Sequence, residues 1–131
     1  MTPGFRGAAR RGDVEHVRAL LDTGSDVNAR DRYHQTALML AAQGGHAALV
    51  HLLVQRGAEL DVAAKFSLTA VMLAVIGGHA EVVRVLVGAG ADLTIRGSAA
   101  PGFAGKTALG LALAREAHDI VTILRAAGAP E

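Results

Sequence analysis

A block of this sequence recurs every 33 residues. Thr36-Ala37-Leu38-Met39-Leu40-Ala41 returns as Thr69-Ala70-Val71-Met72-Leu73-Ala74, and Gly44-Gly45-His46 returns as Gly77-Gly78-His79. Arg56-Gly57-Ala58 corresponds to Ala89-Gly90-Ala91, and the same step back from Gly45 and Gly57 reaches Gly12 and Gly24. A fourth copy opens at Thr107-Ala108-Leu109 and runs to Gly128-Ala129, displaced by five inserted residues. A fixed period of this length restricts a chain to stacked copies of one small unit. No single copy can bury its apolar face, so stability resides in the interfaces between copies.

Each copy carries the local signals of two helices. Thr36, Thr69 and Thr107 are placed to N-cap the first, their side-chain oxygens accepting a backbone N–H of the first turn. Gly45 and Gly78 then stop it, because glycine tolerates the left-handed backbone of a tight turn. The second helix shows apolar residues at helical spacing: Leu49, Val50, Leu52 and Leu53, then Val82, Val83, Val85 and Leu86. Gly57, Gly90 and Gly128 end it, and a turn-rich extended segment leads onward.

The unit with Thr-x-Leu, Gly-Gly-His and Gly-Ala-Asp resembles the ankyrin repeat over roughly residues 3–129. The resemblance implies an all-α repeat fold, a solenoid of helix-turn-helix units with extended β-turn tips. One domain, 1–131, is expected, with units at about 3–30, 31–63, 64–96 and 102–131 and a loop insertion within 97–105. The sequence departs from the family in places. The usual Thr-Pro-Leu-His reads Thr36-Ala37-Leu38-Met39, Thr69-Ala70-Val71-Met72 and Thr107-Ala108-Leu109-Gly110. The turn glycine before the threonine is replaced by His34 and Ser67 and kept as Gly105. Both end units carry polar residues where the middle is apolar. His16 stands where Leu49 and Val82 stand, and Arg125 where Val54 and Val87 stand. This pattern predicts capping units and a complete four-unit array.

The remaining composition narrows the function. A formal charge of +1 gives no global electrostatic footprint for nucleic acid. With no cysteine, disulfides and thiolate metal sites are excluded. Arg6, Arg10 and Arg11 interrupt the N-terminal region, so neither a signal peptide nor a membrane span is expected, and the cytoplasm is the default compartment.

Three chemical readings compete with bland ones. Gly105-Lys106-Thr107 ends like a phosphate-binding loop, but that motif wants glycine at position 100, where Ala100 stands. The preferred reading is a turn with Thr107 as a cap. His46 and His79 hold equivalent places in adjacent units, about 8–10 Å apart in stacked helices, too far to share a zinc with ligand bonds near about 2 Å. Turn and helix-start hydrogen bonding is the preferred reading there. Asp13, Glu15, Glu81 and Asp119 sit near second-helix starts, where carboxylates complement the helix dipole. No nucleophile has an activating signature, so the chain is read as not an enzyme, with no cofactor and no metal.

By resemblance, ankyrin proteins bind partners on a concave side made of turn tips and the exposed face of the first helices. The corresponding turn-tip residues are Arg30, Arg32, Tyr33 and Gln35, then Lys65, Phe66 and Leu68, then Phe103 and Lys106. The first-helix face offers Arg10, Arg11, Gln43 and Ile76. Four arginines and a tyrosine gather at the first two units, and Phe66, Leu68 and Ile76 form an apolar centre in the third. Interfaces favour aromatic and arginine anchors. The expected partner is therefore a protein with acidic patches around an apolar anchor, bound by a monomer, with neither nucleic acid nor membrane involved. In the bland alternative Arg30 and Arg32 merely pair with Asp26 and Asp31. Phe103, in the inserted loop, either folds back on the array or reaches toward the partner, with fold-back preferred. A small inhibitor docking on one enzyme, as ankyrin-type kinase inhibitors do, is the second functional reading.

Overall fold

The computed structural model describes residues 1–98 and 101–131. Helices come in pairs: α1 (Pro3–Arg11) with α2 (Val14–Asp22), α3 (Ala37–Gly44) with α4 (Ala47–Gln55), α5 (Ala70–Gly77) with α6 (Ala80–Gly88), and α7 (Ala108–Ala114) with α8 (His118–Ala126). A single 3-10 turn covers Lys65–Ser67. Among the described residues there are no named strands, only isolated bridges between Arg30 and Thr36 and between Gly97 and Ala104. The first helices stack in the order α1, α3, α5, α7, and the second helices stack behind them as α2, α4, α6, α8. No helix among the described residues is long and apolar enough to cross a membrane.

Local chemistry sets the helix ends. Thr36 Oγ1 accepts from Met39 N at 3.3 Å and Thr107 Oγ1 from Gly110 N at 3.1 Å, while Thr69 does the same toward Met72. Thr2 plays this part for α1, accepting from Phe5 N at 3.2 Å. Gly12, Gly45 and Gly78 close the first three front helices in the left-handed conformation.

Packing follows from size. The α3 residues Ala37–Ala42 are all buried, as are Ala70–Val75 of α5, because each helix is enclosed by two neighbours and by its own partner. In the rear layer Leu49, Val50, Leu52 and Leu53 are buried in α4, but α2 buries only Val17. His16 and Arg125 are exposed, so the polar substitutions in the end units face outward.

Polar bonds tie successive units together. His46 Nε2 donates to the carbonyl of Arg10 at 2.9 Å, and His79 Nε2 to that of Gln43 at 3.0 Å. These histidines stand at the N-caps of α4 and α6 yet make no capping bond there. They fasten each unit to the one before it. Below them, Asn28 Oδ1 accepts from Glu59 N at 2.8 Å and Asp61 Oδ1 from Asp92 N at 2.7 Å, one unit later. At the C-terminal end, Thr107 Oγ1 donates to the carbonyl of Pro130 at 2.7 Å, and Arg96 bridges the carbonyls of Gly105 and Glu131.

Candidate functional site

The first turn tip is organised by a buried carboxylate. Asp31 Oδ1 accepts from the backbone N–H of Tyr33 at 2.8 Å and of Gln35 at 3.0 Å, and Oδ2 accepts from Arg6 Nε at 2.9 Å. Burial pushes this carboxyl's pKa up. The Arg6 hydrogen bond, the two backbone donors and the Arg6 charge outweigh that and hold it below the ordinary value. The tip so fixed presents Tyr33, 54 % exposed, with the Arg32 guanidinium 5.0 Å and the Arg6 guanidinium 5.6 Å from its ring centroid.

The pairing of Arg30 and Arg32 with Asp26 and Asp31, the bland alternative, does not form among the described residues. Asp31 is held by Arg6, and Asp26 accepts from the backbone N–H of Asn28. Arg30 and Arg32 have no ion pair among the described residues and are exposed.

The second tip is strained. Phe66 and Ser67 both take left-handed φ, 63° and 58°, where one replaced glycine was expected. The conformation turns the Phe66 ring toward the next tip, where it meets Phe103 with centroids 6.0 Å apart and planes tilted by 40°. Ser98 N donates to the Phe66 carbonyl at 2.8 Å, and the hydroxyls of Ser67 and Ser98 lie 3.0 Å apart. Phe103 therefore packs on the array. Gly97 permits this, since a Cβ there would lie 2.4 Å from the Phe103 carbonyl oxygen. Ala99 and Ala100, which include the missing phosphate-loop glycine position, lie outside the described residues. In the rest of that stretch Gly105-Lys106-Thr107 forms the turn into α7, with Thr107 fully buried as its cap.

Between the first two tips lies a groove of about 750 Å³. Its apolar wall includes Ala64, Phe66, Leu68 and Leu73, and its rim carries Arg30, Arg32, Lys65 and Tyr33. A smaller polar cup of about 320 Å³ lies beside it, lined by Arg6, Arg10, Gln35 and Gln43 together with Leu40 and Gly44. Gln35 belongs to both.

The structure distributes the expected site residues unevenly. Arg30, Arg32, Tyr33, Gln35, Lys65, Phe66 and Leu68 line the groove, and Arg10, Gln35 and Gln43 line the cup. Leu68, expected as an exposed anchor, is only 7 % exposed, because the chain turns it inward ahead of α5. It serves as wall, not as a projecting contact. Phe66 and Ile76 are half-buried against the core, and the Lys65 ammonium lies 5.0 Å from the Phe66 ring centroid. Arg11 pairs with Asp13 at 3.7 Å and lines neither cavity; Ile76, Phe103 and Lys106 line neither as well. Arg6 and Leu73 are not among the site residues expected from the sequence, and Asp31 is expected only as a pairing partner of Arg30 and Arg32. Arg6 was legible, since it stands one helical turn before Arg10 on α1.

A family model for ankyrin repeats (3 copies) matches residues 5–97, which leaves the fourth unit beyond the matched span. No curated protein matches the chain.

Proposed function

The chain belongs to the ankyrin-repeat family, whose members are generally protein–protein interaction modules and typically not enzymes, and from that premise we propose that it holds a partner protein on its concave face. The observation that carries this reading is the groove between the first two tips. Arg30, Arg32 and Lys65 stand around apolar walls, with no acidic residue in the lining. Charged groups of one sign around an apolar centre steer and orient a partner of opposite sign. The partner surface that fits presents carboxylates around an apolar side chain.

The experiment begins with capture of partners from the source organism and their identification by mass spectrometry. The identified partner is then titrated against the wild type, Arg10→Ala/Arg32→Ala and Arg30→Glu/Arg32→Glu, with melting curves as a folding control. The reading requires weaker binding for both variants at unchanged melting temperature, and stronger salt dependence for the wild type. Equal affinity in all three proteins overturns it. If the partner is an enzyme, its activity in the same titration separates an inhibitor from an adaptor.

A further inference from the structure

The groove and the cup are chemically different, and they adjoin. The groove can take an apolar group, since its walls are side chains such as Leu68 and Leu73, which are nearly buried and cannot swing out to fill it. The cup has little apolar surface to offer. It holds two guanidinium side chains one helical turn apart on α1, with two glutamine side chains from the neighbouring unit. Arg6 is ion-paired with Asp31, which lines neither cavity, whereas Arg10 has no ion pair among the described residues. Neither lining contains an acidic residue. Planar guanidinium groups match carboxylates with paired, charge-assisted hydrogen bonds.

We infer that this face takes an extended acidic peptide segment at two points, with an apolar side chain in the groove and a carboxylate in the cup. The inference rests on the concave-face reading and sharpens it from a surface to a linear segment. Three features support an extended occupant over a folded surface. The groove runs between two projecting tips, the tips hold their shape through internal bonds at Asp31 and at Ala64–Leu68, and the shared residue Gln35 makes the two subsites continuous. An extended chain advances about 3.3 Å per residue, so a few residues link them. The charge placement favours a carboxylate on the segment and disfavours a basic one. Arg30, Arg32 and Lys65 on the rim of the groove add three further cations.

The test uses the whole chain and a positional-scanning library of acetylated, amidated octapeptides, whose blocked ends remove terminal charges. The wild type is expected to select one apolar residue and one Asp or Glu at a single fixed spacing. Arg10→Ala should keep the apolar preference and weaken the acidic one about tenfold, the size of one lost charge-assisted bond. Ala63→Asp, at an exposed wall position of the groove, should abolish the apolar preference and leave the fold intact. No selection, selection of basic residues, or selection unchanged in both variants overturns the inference. So does selection only when phosphoserine replaces the acidic residue. If the library selects nothing while the captured partner still depends on Arg30 and Arg32, the linear-segment inference falls and the concave-face reading stands. If that partner is indifferent to them, both fall.

Discussion

The imidazole of His79 occupies the space that a Cβ on Gly45 would need, with the nearest ring atom 2.5 Å from that Cβ position. The same ring donates through Nε2 to the carbonyl of Gln43 at 3.0 Å. His46 repeats the arrangement one unit earlier, over Gly12 and toward the carbonyl of Arg10. The glycine thus serves twice: it adopts φ +74°, and it opens a slot through which the next unit reaches back. The fourth unit has Ala117 at the corresponding place, and a Cβ on Gly78 would meet nothing within 4 Å.

Gly45→Ala and Gly78→Ala therefore separate the two roles, since the backbone angles match while only one site faces an imidazole. Gly78→Ala is expected to lose about 1–2 kcal/mol from left-handed strain. Gly45→Ala should lose about 1 kcal/mol more, because His79 must give up its bond to the Gln43 carbonyl at the end of α3. Urea unfolding of both, with and without His79→Ala, checks this. The excess at Gly45 should shrink in the His79→Ala background, and an equal loss at both glycines would refute the slot.

The Asp31 turn predicts an acid-sensitive tip. Its folded pKa lies below the ordinary 3.8, so on acidification the unfolded chain binds a proton there before the folded one does. The contribution to stability is full above about pH 4 and is lost as pH falls through the folded value. Asp31→Asn should melt lower than the wild type at neutral pH, and the gap should narrow below about pH 4. Calorimetry across pH 2.5–7 measures it, and a pH-independent gap would show that the charge is irrelevant.

His34 is exposed and held at φ 64°. His34→Gly removes left-handed strain of about 1–2 kcal/mol and adds chain entropy to the unfolded state worth about 0.5–1 kcal/mol. The net expectation is a modest rise in thermal stability. A fall would mean that the His34 side chain stabilises the tip.

Phe66 and Phe103 form an aromatic pair that joins the third unit to the inserted loop. A double-mutant cycle through Phe66→Leu and Phe103→Leu should return a coupling energy of about 0.5–1.5 kcal/mol. Strict additivity would place Phe103 off the array.

How much was legible varies by residue. Thr36, Thr69 and Thr107 were read as caps and are caps, because a capping bond spans three residues and needs no distant partner. His46 and His79 were assigned to turn hydrogen bonding, which is right in kind, but their acceptors lie 36 residues back. Arg30, Asp31 and Arg32 are adjacent in sequence and invite pairing with one another. The turn instead points the carboxylate inward, and the residue that meets it there is Arg6. Leu68 was read as surface because it lies in a tip; burial follows from α5 beginning immediately behind it.

The sequence by itself determined the unit, its period, the helix ends and the outward polarity of the end units. Those depend on signals acting within about one helical turn, repeated in register until they reinforce one another. Tertiary structure alone decided which arginine holds Asp31, that Phe103 lies on Phe66, and that an apolar groove adjoins a cup with two guanidinium side chains. These depend on the offset between neighbouring units, which is set by how side chains of many sizes pack across an interface, and no local pattern encodes that offset.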